Sequence, residues 1–143
     1  TTIVICYMDG KNTYVSHVGD SRAYLYKDTL KQITADDTFV NELVKRGLIN
    51  EEEASHHPKR NVLVQAIGIK EALRISFYKI EEDYRAILLC SDGLYNSLSS
   101  QQIEEILQKN ASVDHKTERL IQSANEFGGL DNIGVLLIEK GES

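Results

Sequence analysis

The stretch Ala86-Ile87-Leu88-Leu89-Cys90-Ser91-Asp92-Gly93 joins an uninterrupted apolar run to a sharp polar turn. A second apolar run, residues 133–138, begins directly after Gly128-Gly129-Leu130-Asp131-Asn132. Short apolar runs bounded by turn residues predict buried strands. A carboxylate beside the interior is costly to desolvate unless it has a partner. Asp92 and Asp131 therefore indicate a site for a hard divalent cation at the ends of two core strands, since such ions prefer oxygen ligands.

The chain on either side of these runs predicts further strands and helices. β-Branched and aromatic residues recur in short segments separated by tight turns such as Asp9-Gly10 and Gly19-Asp20, which is typical of antiparallel strands. Apolar residues at helical spacing, preceded by the capping residues Asn50 and Ser99 or Ser100, predict helices. Segment 61–68 fits a strand or a helix equally well. The predicted strands cover 3–8, 13–17, 22–26, 30–33, 73–80, 85–90 and 132–139, and the predicted helices cover about 39–46, 50–56, 100–107 and 115–127.

The order of these elements favours an α+β fold, an antiparallel β-sandwich flanked by helices. Strands cluster at both ends of the chain, whereas a regular alternation of strand and helix would predict a parallel sheet. At 143 residues the chain has the length of one domain with a substantial core. It begins within a strand pattern, at Thr1-Thr2-Ile3, and without an initiator methionine. We therefore expect a piece of a longer protein, truncated at its N-terminal side.

Composition excludes several classes of function. The net charge of −6 argues against a nucleic-acid partner, which would require a basic face. No run approaches the 18 or so apolar residues of a membrane span, and no signal peptide is visible. Cys6 and Cys90 each lie inside an apolar run, which fits reduced thiols and predicts a cytoplasmic protein, although a disulfide between them stays open.

Each acidic motif also has an ordinary structural explanation. Asp-Gly and Asp-Asn pairs are common in turns, so Asp92 and Asp131 taken singly indicate turns. Asp36 and Asp37 precede a predicted helix, where carboxylates complement the helix dipole. The four histidines offer no zinc-like spacing, and neither a Ser–His–Asp arrangement nor a P-loop is present. Only the joint occurrence of the aspartates at strand and helix ends favours a metal site.

Five segments in order resemble one family. Residues 14–24, Tyr-Val-Ser-His-Val-Gly-Asp-Ser-Arg-Ala-Tyr, are similar to a hairpin of the type 2C, or PPM, metal-dependent serine/threonine protein phosphatases. Residues 33–38, 61–68, 88–94 and 129–133 resemble the segments that follow it in that family, and the likeness covers nearly the whole chain. The resemblance implies that residues 1–143 form a single partial phosphatase domain, the C-terminal portion of a bacterial member, with a flap at about 37–60.

The resemblance implies an enzyme with two or three Mg²⁺ or Mn²⁺ ions. Two ions share a water, lower its pKa and deliver hydroxide in line to phosphorus. Asp92 and Asp131 match ligands of this centre, and Asp36 matches a position that helps to hold a third metal. Asn132 would orient Asp131, and Gly93 and Ser91 would support the same ligands. Thr38 and Arg60 would belong to the substrate flap, whereas Asp20 and Arg22 are interpreted as hairpin structure.

The departures from the family pattern are equally informative. A phosphate-binding arginine with an acidic ligand, an Asp-Gly motif whose aspartate bridges both ions, and a histidine general acid have no counterpart here. Asp9-Gly10 stands in the wrong place, and Gly134 replaces the usual Thr or Ser, which should loosen strand pairing locally. We therefore expect the isolated chain to be catalytically inactive, to retain no catalytic group beyond metal ligands, and to bind metal weakly or not at all.

Three hypotheses follow for the function. The leading one is the C-terminal part of a phosphoserine/phosphothreonine protein phosphatase that acts on phosphoproteins and opposes a serine/threonine kinase. The alternative is a non-catalytic phosphatase-like module with a regulatory or interaction role. The third is an acidic α+β domain without metal. Because a sandwich that lacks strands exposes sheet edges, the first hypothesis also predicts self-association.

Overall fold

Seven strands and five helices make up the part of the chain that the computed structural model describes, residues 1–69 and 72–141. The strands are β1 (Ile3–Met8), β2 (Thr13–Val18), β3 (Arg22–Tyr26), β4 (Leu30–Gln32), β5 (Ser76–Ile80), β6 (Ala86–Cys90) and β7 (Val135–Glu139). The helices are α1 (Phe39–Lys45), α2 (Glu51–His56), α3 (Asp92–Tyr95), α4 (Ser100–Leu107) and α5 (Val113–Glu126).

The strands form two antiparallel sheets, with the orders β1-β2-β5 and β4-β3-β6-β7. One apolar core, which includes Val15, Ile87 and Leu89, joins strands from both sheets. A second core lies on the other face of the four-stranded sheet, where Leu88 packs with residues of α4 and α5 such as Leu120. Because both faces of β6 are covered, all five of its residues are buried, which explains its uninterrupted apolar run. The predicted α+β sandwich with flanking helices is confirmed.

Several predicted bounds were too long, for physical reasons. The strand predicted over 73–80 begins at Ser76, and the strand predicted from residue 132 begins at Val135, because the preceding residues form a loop. Segment 61–68 is neither strand nor helix; its backbone instead bonds the flap, with the Phe39 amide donating to Val62 and the Val64 amide to Asp37. A turn was predicted at residues 91–93, where the one-turn helix α3 begins.

The segment that the resemblance identifies as a flap contains the short helices α1 and α2. Thr38 caps α1 by accepting a hydrogen bond from the Asn41 amide, and Gly47 follows the helix with a positive φ of 69°. Asn50 and Glu53 form the predicted capping box at the start of α2. Both helices thus begin and end where the local sequence indicates.

The outer face of the three-stranded sheet carries exposed apolar side chains. Ile5, Tyr7 and Phe77 are 48%, 60% and 67% exposed, and within the described residues β1 pairs only with β2. Self-association through such edges stays a prediction, as does the single partial domain over 1–143. Cys6 and Cys90 are both free thiols. Within 1–69 and 72–141, no helix combines the length and apolar character needed to cross a membrane.

Candidate metal centre

The register of three strands brings the acidic motifs to one end of the four-stranded sheet. Arg22 at the start of β3 pairs with Cys90 at the end of β6, and Cys90 pairs with Val135 at the start of β7. The turn before β3 carries Asp20, the turn after β6 carries Asp92, and the loop before β7 carries Asp131. Antiparallel pairing therefore places all three aspartates at the same sheet end.

The two motifs singled out in the sequence contact each other. A Cβ atom added at Gly93 would lie 2.3 Å from the main-chain oxygen of Asn132, so only glycine permits this approach. The hydroxyl of Ser91 donates to the same Asn132 oxygen at 3.2 Å and accepts a 2.8 Å hydrogen bond from the Gly134 amide. Ser91 and Gly93 thus hold the 131–134 loop against the start of α3, on either side of Asp92.

Asp131 lies in the exposed part of this loop. The main-chain amide of Asn132 donates a 2.7 Å hydrogen bond to Asp131 Oδ1. This bond comes from the backbone of Asn132, and the role of Asn132 in orienting Asp131 stays a prediction. Gly134 continues the ladder beyond β7, since its oxygen accepts a 3.0 Å bond from the Ser91 amide. The expected loosening of strand pairing at Gly134 is not seen at this bond.

Asp20 is the acidic neighbour of Asp92 that the sequence interpretation missed. Burial, and then the negative charge of Asp92, raise the pKa of the half-buried Asp20 carboxyl above its ordinary range. The interpretation as hairpin structure overlooked that Asp20 precedes β3 at the sheet end where Asp92 follows β6. The pairing of β3 with β6 is the feature from which Asp20 could have been identified as a neighbour of the Asp92 turn.

Asp36 does not stand free at this end of the sheet. Its carboxylate accepts two hydrogen bonds from Arg22 Nε, at 2.9 and 3.1 Å, and one from Arg22 Nη2 at 2.7 Å. Arg22 Nη1 donates to the Tyr24 hydroxyl at 3.1 Å. Burial lowers the pKa of Arg22, but the hydrogen bonds and charge of Asp36 outweigh it, so the net shift is upward. The third-metal role of Asp36 stays a prediction, and this bidentate pairing argues against it.

The neighbouring Asp37 is a buried carboxylate with a structural task. Its Oδ2 accepts a 2.8 Å hydrogen bond from the Gly19 amide and a 2.7 Å bond from Gln65 Nε2. The Asp37 amide in turn donates to the Gly19 oxygen at 2.9 Å. Asp37 thereby joins the turn that contains Asp20 to the first residues of the flap.

A cavity of about 600 Å³ separates this sheet end from the flap. The hydroxyl of Thr38 is engaged in capping α1, and Thr38 is only 4% exposed; its part in a substrate flap stays a prediction. Arg60 is exposed at the cavity edge, and its contact with a substrate stays a prediction. The residues on the two sides of this cavity include Asp20, Arg22, Asp36, Thr38, Asn41 and Arg60.

The donors at this sheet end fit a hard divalent cation, but incompletely. Asp20 and Asp92 bring two carboxylates to one end of the sheet, where a cation would relieve the repulsion between their charges. The glycine at position 93 also keeps the Asp131 loop close. Within residues 1–69 and 72–141, however, no three His, Cys, Asp or Glu side chains are grouped closely enough to hold an ion by themselves.

Relatives of the chain were found among curated proteins, although no family model matches it. The serine/threonine phosphatase stp of Listeria welshimeri is 38% identical over 142 residues, which cover 98% of this chain and 56% of the relative. Protein phosphatase PhpP of Streptococcus pneumoniae is 39% identical over 146 residues, covering 99% and 58%. The chain thus spans somewhat more than half the length of the curated relatives it matches.

Solved structures share the fold. The S. agalactiae serine/threonine phosphatase has a TM-score of 0.89 at 36% identity, covering 97% of this chain and 59% of that one. The catalytic domain of the serine/threonine protein phosphatase PstP, in complex with two manganese ions, has a TM-score of 0.76 at 36% identity, covering 95% and 56%. By sequence and by fold, this chain is related to the bacterial serine/threonine phosphatases of the PPM type, which confirms the family that its five motifs indicate.

Proposed function

We propose that this chain is the C-terminal part of a Mg²⁺- or Mn²⁺-dependent protein phosphatase that hydrolyses phosphoserine and phosphothreonine. The observation that carries the proposal is the contact between Gly93 and Asn132, because it joins the two motif loops that bear Asp92 and Asp131. The names of the relatives, and the two manganese ions in the PstP structure, support the same assignment.

Asp92 and Asp131 would hold the cations in the whole enzyme, with Asn132, Gly93 and Ser91 supporting them. We propose Asp20 in place of Asp36 as a further ligand, because Asp36 already accepts three hydrogen bonds from Arg22 whereas Asp20 lies in a turn at the same sheet end as Asp92. When bound, such cations supply an activated water for attack on phosphorus.

The chain's own residues give little help to the reacting phosphoryl group. Transfer of this group depends on cationic stabilisation of its oxygens. Arg22 lines the cavity, but its guanidinium is already bonded to Asp36 and Tyr24 and lies over the ring of Tyr95. We therefore propose that the isolated chain does not turn over substrate and that its affinity for Mg²⁺ or Mn²⁺ is weak.

The partners proposed for the whole protein are phosphoproteins, together with a serine/threonine kinase whose action it reverses. The relatives named as serine/threonine phosphatases support this substrate class. We place the protein in the cytoplasm, a proposal that the two free thiols Cys6 and Cys90 support.

Titration of the full chain with Mn²⁺, followed by electron paramagnetic resonance of the free ion, tests the proposal. We expect a dissociation constant of about 1 mM, at the weak end for carboxylate sites, and loss of this binding in Asp92→Asn. Asp28→Asn removes an exposed carboxylate elsewhere and should bind as the wild type does. Equal binding by Asp92→Asn and the wild type would contradict the metal site.

The same preparations address the catalytic part of the proposal. With Mn²⁺ and p-nitrophenyl phosphate, the wild-type chain should show no turnover above buffer. Robust hydrolysis that Asp92→Asn abolishes would refute the expected inactivity while supporting the metal site.

A further inference from the structure

Tyr95 connects the two turns that carry Asp20 and Asp92. It is the last residue of α3, the one-turn helix that begins at Asp92. Its hydroxyl donates a 2.8 Å hydrogen bond to the main-chain oxygen of Asp20, 75 residues away in sequence. The bond joins the helix that holds one carboxylate to the turn that holds the other.

The ring of Tyr95 is itself fixed in place. The guanidinium carbon of Arg22 lies 3.5 Å from the ring centre, a cation–π contact, and Arg22 is held by Asp36 and Tyr24. The ring also packs against the core between the sheet and the helices. The hydroxyl therefore has little freedom to leave the Asp20 oxygen.

Repulsion between two carboxylates acts against this arrangement. The pairing of Arg22 with Cys90 places the Asp20 turn and the Asp92 turn at one end of the sheet, where the two negative charges repel each other. Without a cation, the repulsion favours separation of the two turns. Asp37 bonds the Gly19 end of this turn, whereas Tyr95 bonds its Asp20 end to α3, so motion of the turn away from α3 also strains the bond between Gly19 and Asp37.

We infer that Tyr95 is a positioning residue that keeps the Asp20 turn at a fixed distance from Asp92 and so strengthens the binding of a divalent cation by these two carboxylates. The inference rests on the proposed function, since it assigns a task to a neighbour of the proposed ligands. One part of the inference needs no metal, namely that Tyr95 holds the Asp20 turn, and this part rests on the hydrogen bond alone.

Tyr95→Phe, compared with Tyr24→Phe, tests the inference. Each variant removes the hydroxyl of a tyrosine that contacts Arg22 and keeps the ring, but of the two tyrosines only Tyr95 bonds Asp20. Because groups that orient ligands typically change metal affinity by 10- to 100-fold, we expect Tyr95→Phe to bind Mn²⁺ about tenfold more weakly than wild type. Tyr24→Phe should stay within about twofold.

Hydrogen exchange without metal supplies the second readout. The Gly19 amide, bonded to Asp37, reports on the Asp20 turn, and the Leu88 amide in β6 reports on global opening. In Tyr95→Phe, exchange at Gly19 should accelerate about fivefold relative to Leu88, whereas Tyr24→Phe should leave the ratio unchanged.

The outcomes separate the inference from the proposed function. Unchanged Gly19 exchange in Tyr95→Phe, or a Mn²⁺ affinity equal to that of Tyr24→Phe when the wild type binds, overturns the inference. A wild-type chain that does not bind Mn²⁺ overturns the proposed metal site, while faster Gly19 exchange would still support the positioning role.

Discussion

The Asp20 turn and the Asp131 loop flank the same residue, Asp92, but they are fixed in different ways. Three polar contacts hold the Asp20 turn: Asp37 bonds Gly19, Tyr95 bonds the Asp20 oxygen, and the Ser21 hydroxyl lies 3.0 Å from that of Thr2. The 131–134 loop is exposed and is held by the hydroxyl and the main-chain amide of Ser91 and by the close approach of Gly93.

The difference shows two ways of holding a turn that carries a proposed ligand. The Asp20 side is organised by hydrogen bonds whose partners are all in place, one of them the buried carboxylate of Asp37, which ties the position of Asp20 to the stability of the fold. On the other side, the Asp131 loop can approach α3 only because residue 93 has no side chain, so the position of Asp131 depends on local packing. Disruption of the first side should therefore cost more free energy of unfolding than disruption of the second.

Asp36→Ala should have the largest effect. The substitution leaves the largely buried Arg22 guanidinium without its carboxylate partner, and we expect the free energy of unfolding to fall by about 3 kcal/mol. Urea denaturation measures the change. Asp83→Ala is the matched control, because Asp83 is exposed and pairs with two lysines; its loss should stay below about 1 kcal/mol. Similar losses in the two variants would show that the Asp20 side is no more strongly held than the surface.

Gly93→Ala should have an intermediate effect of about 2 kcal/mol. The new Cβ would overlap the Asn132 oxygen, so the 131–134 loop must move away from α3. Gly134→Ala places its Cβ 3.7 Å from the Ser91 hydroxyl, an ordinary contact, and should change stability little. Urea denaturation, combined with hydrogen exchange of the main-chain amide at position 134, distinguishes the two variants. If both glycine variants behave alike, close approach does not fix this loop.

The sequence predicted those parts of the molecule that local patterns determine. Strands β1 and β3 have the predicted bounds, and the capping box at Asn50 is present, because alternation and capping act within a few residues. The Asp92 and Asp131 motifs were expected to contribute to one site, and the structure brings them into contact through Gly93 and Asn132.

The remaining parts depend on contacts between distant residues. The bond from Tyr95 to Asp20 and the pairing of Arg22 with Asp36 follow from the register of β3 against β6 and β4, which no local pattern encodes. Helix α3 has four residues, too few for a helical period to show. Segment 61–68 takes its conformation from hydrogen bonds to the flap, so its apolar residues carry no periodic signal.

Asp20→Asn should have the smallest effect, and its sign depends on pH. Because the pKa of Asp20 is raised in the folded chain, the folded state holds the proton more tightly than the unfolded state does. Its free energy of unfolding therefore falls as pH rises from about 4 through the raised value. Asparagine carries no such charge, so in EDTA the variant should be more stable than wild type at pH 7, by less than about 1 kcal/mol at this half-exposed site. The advantage should vanish below about pH 4 in thermal melts, and saturating Mn²⁺ should reverse it, since the ion stabilises only the carboxylate. A variant less stable than wild type at pH 7 without metal would mean that the charge of Asp20 stabilises the fold, as the charge of Asp36 does through its pairing with Arg22.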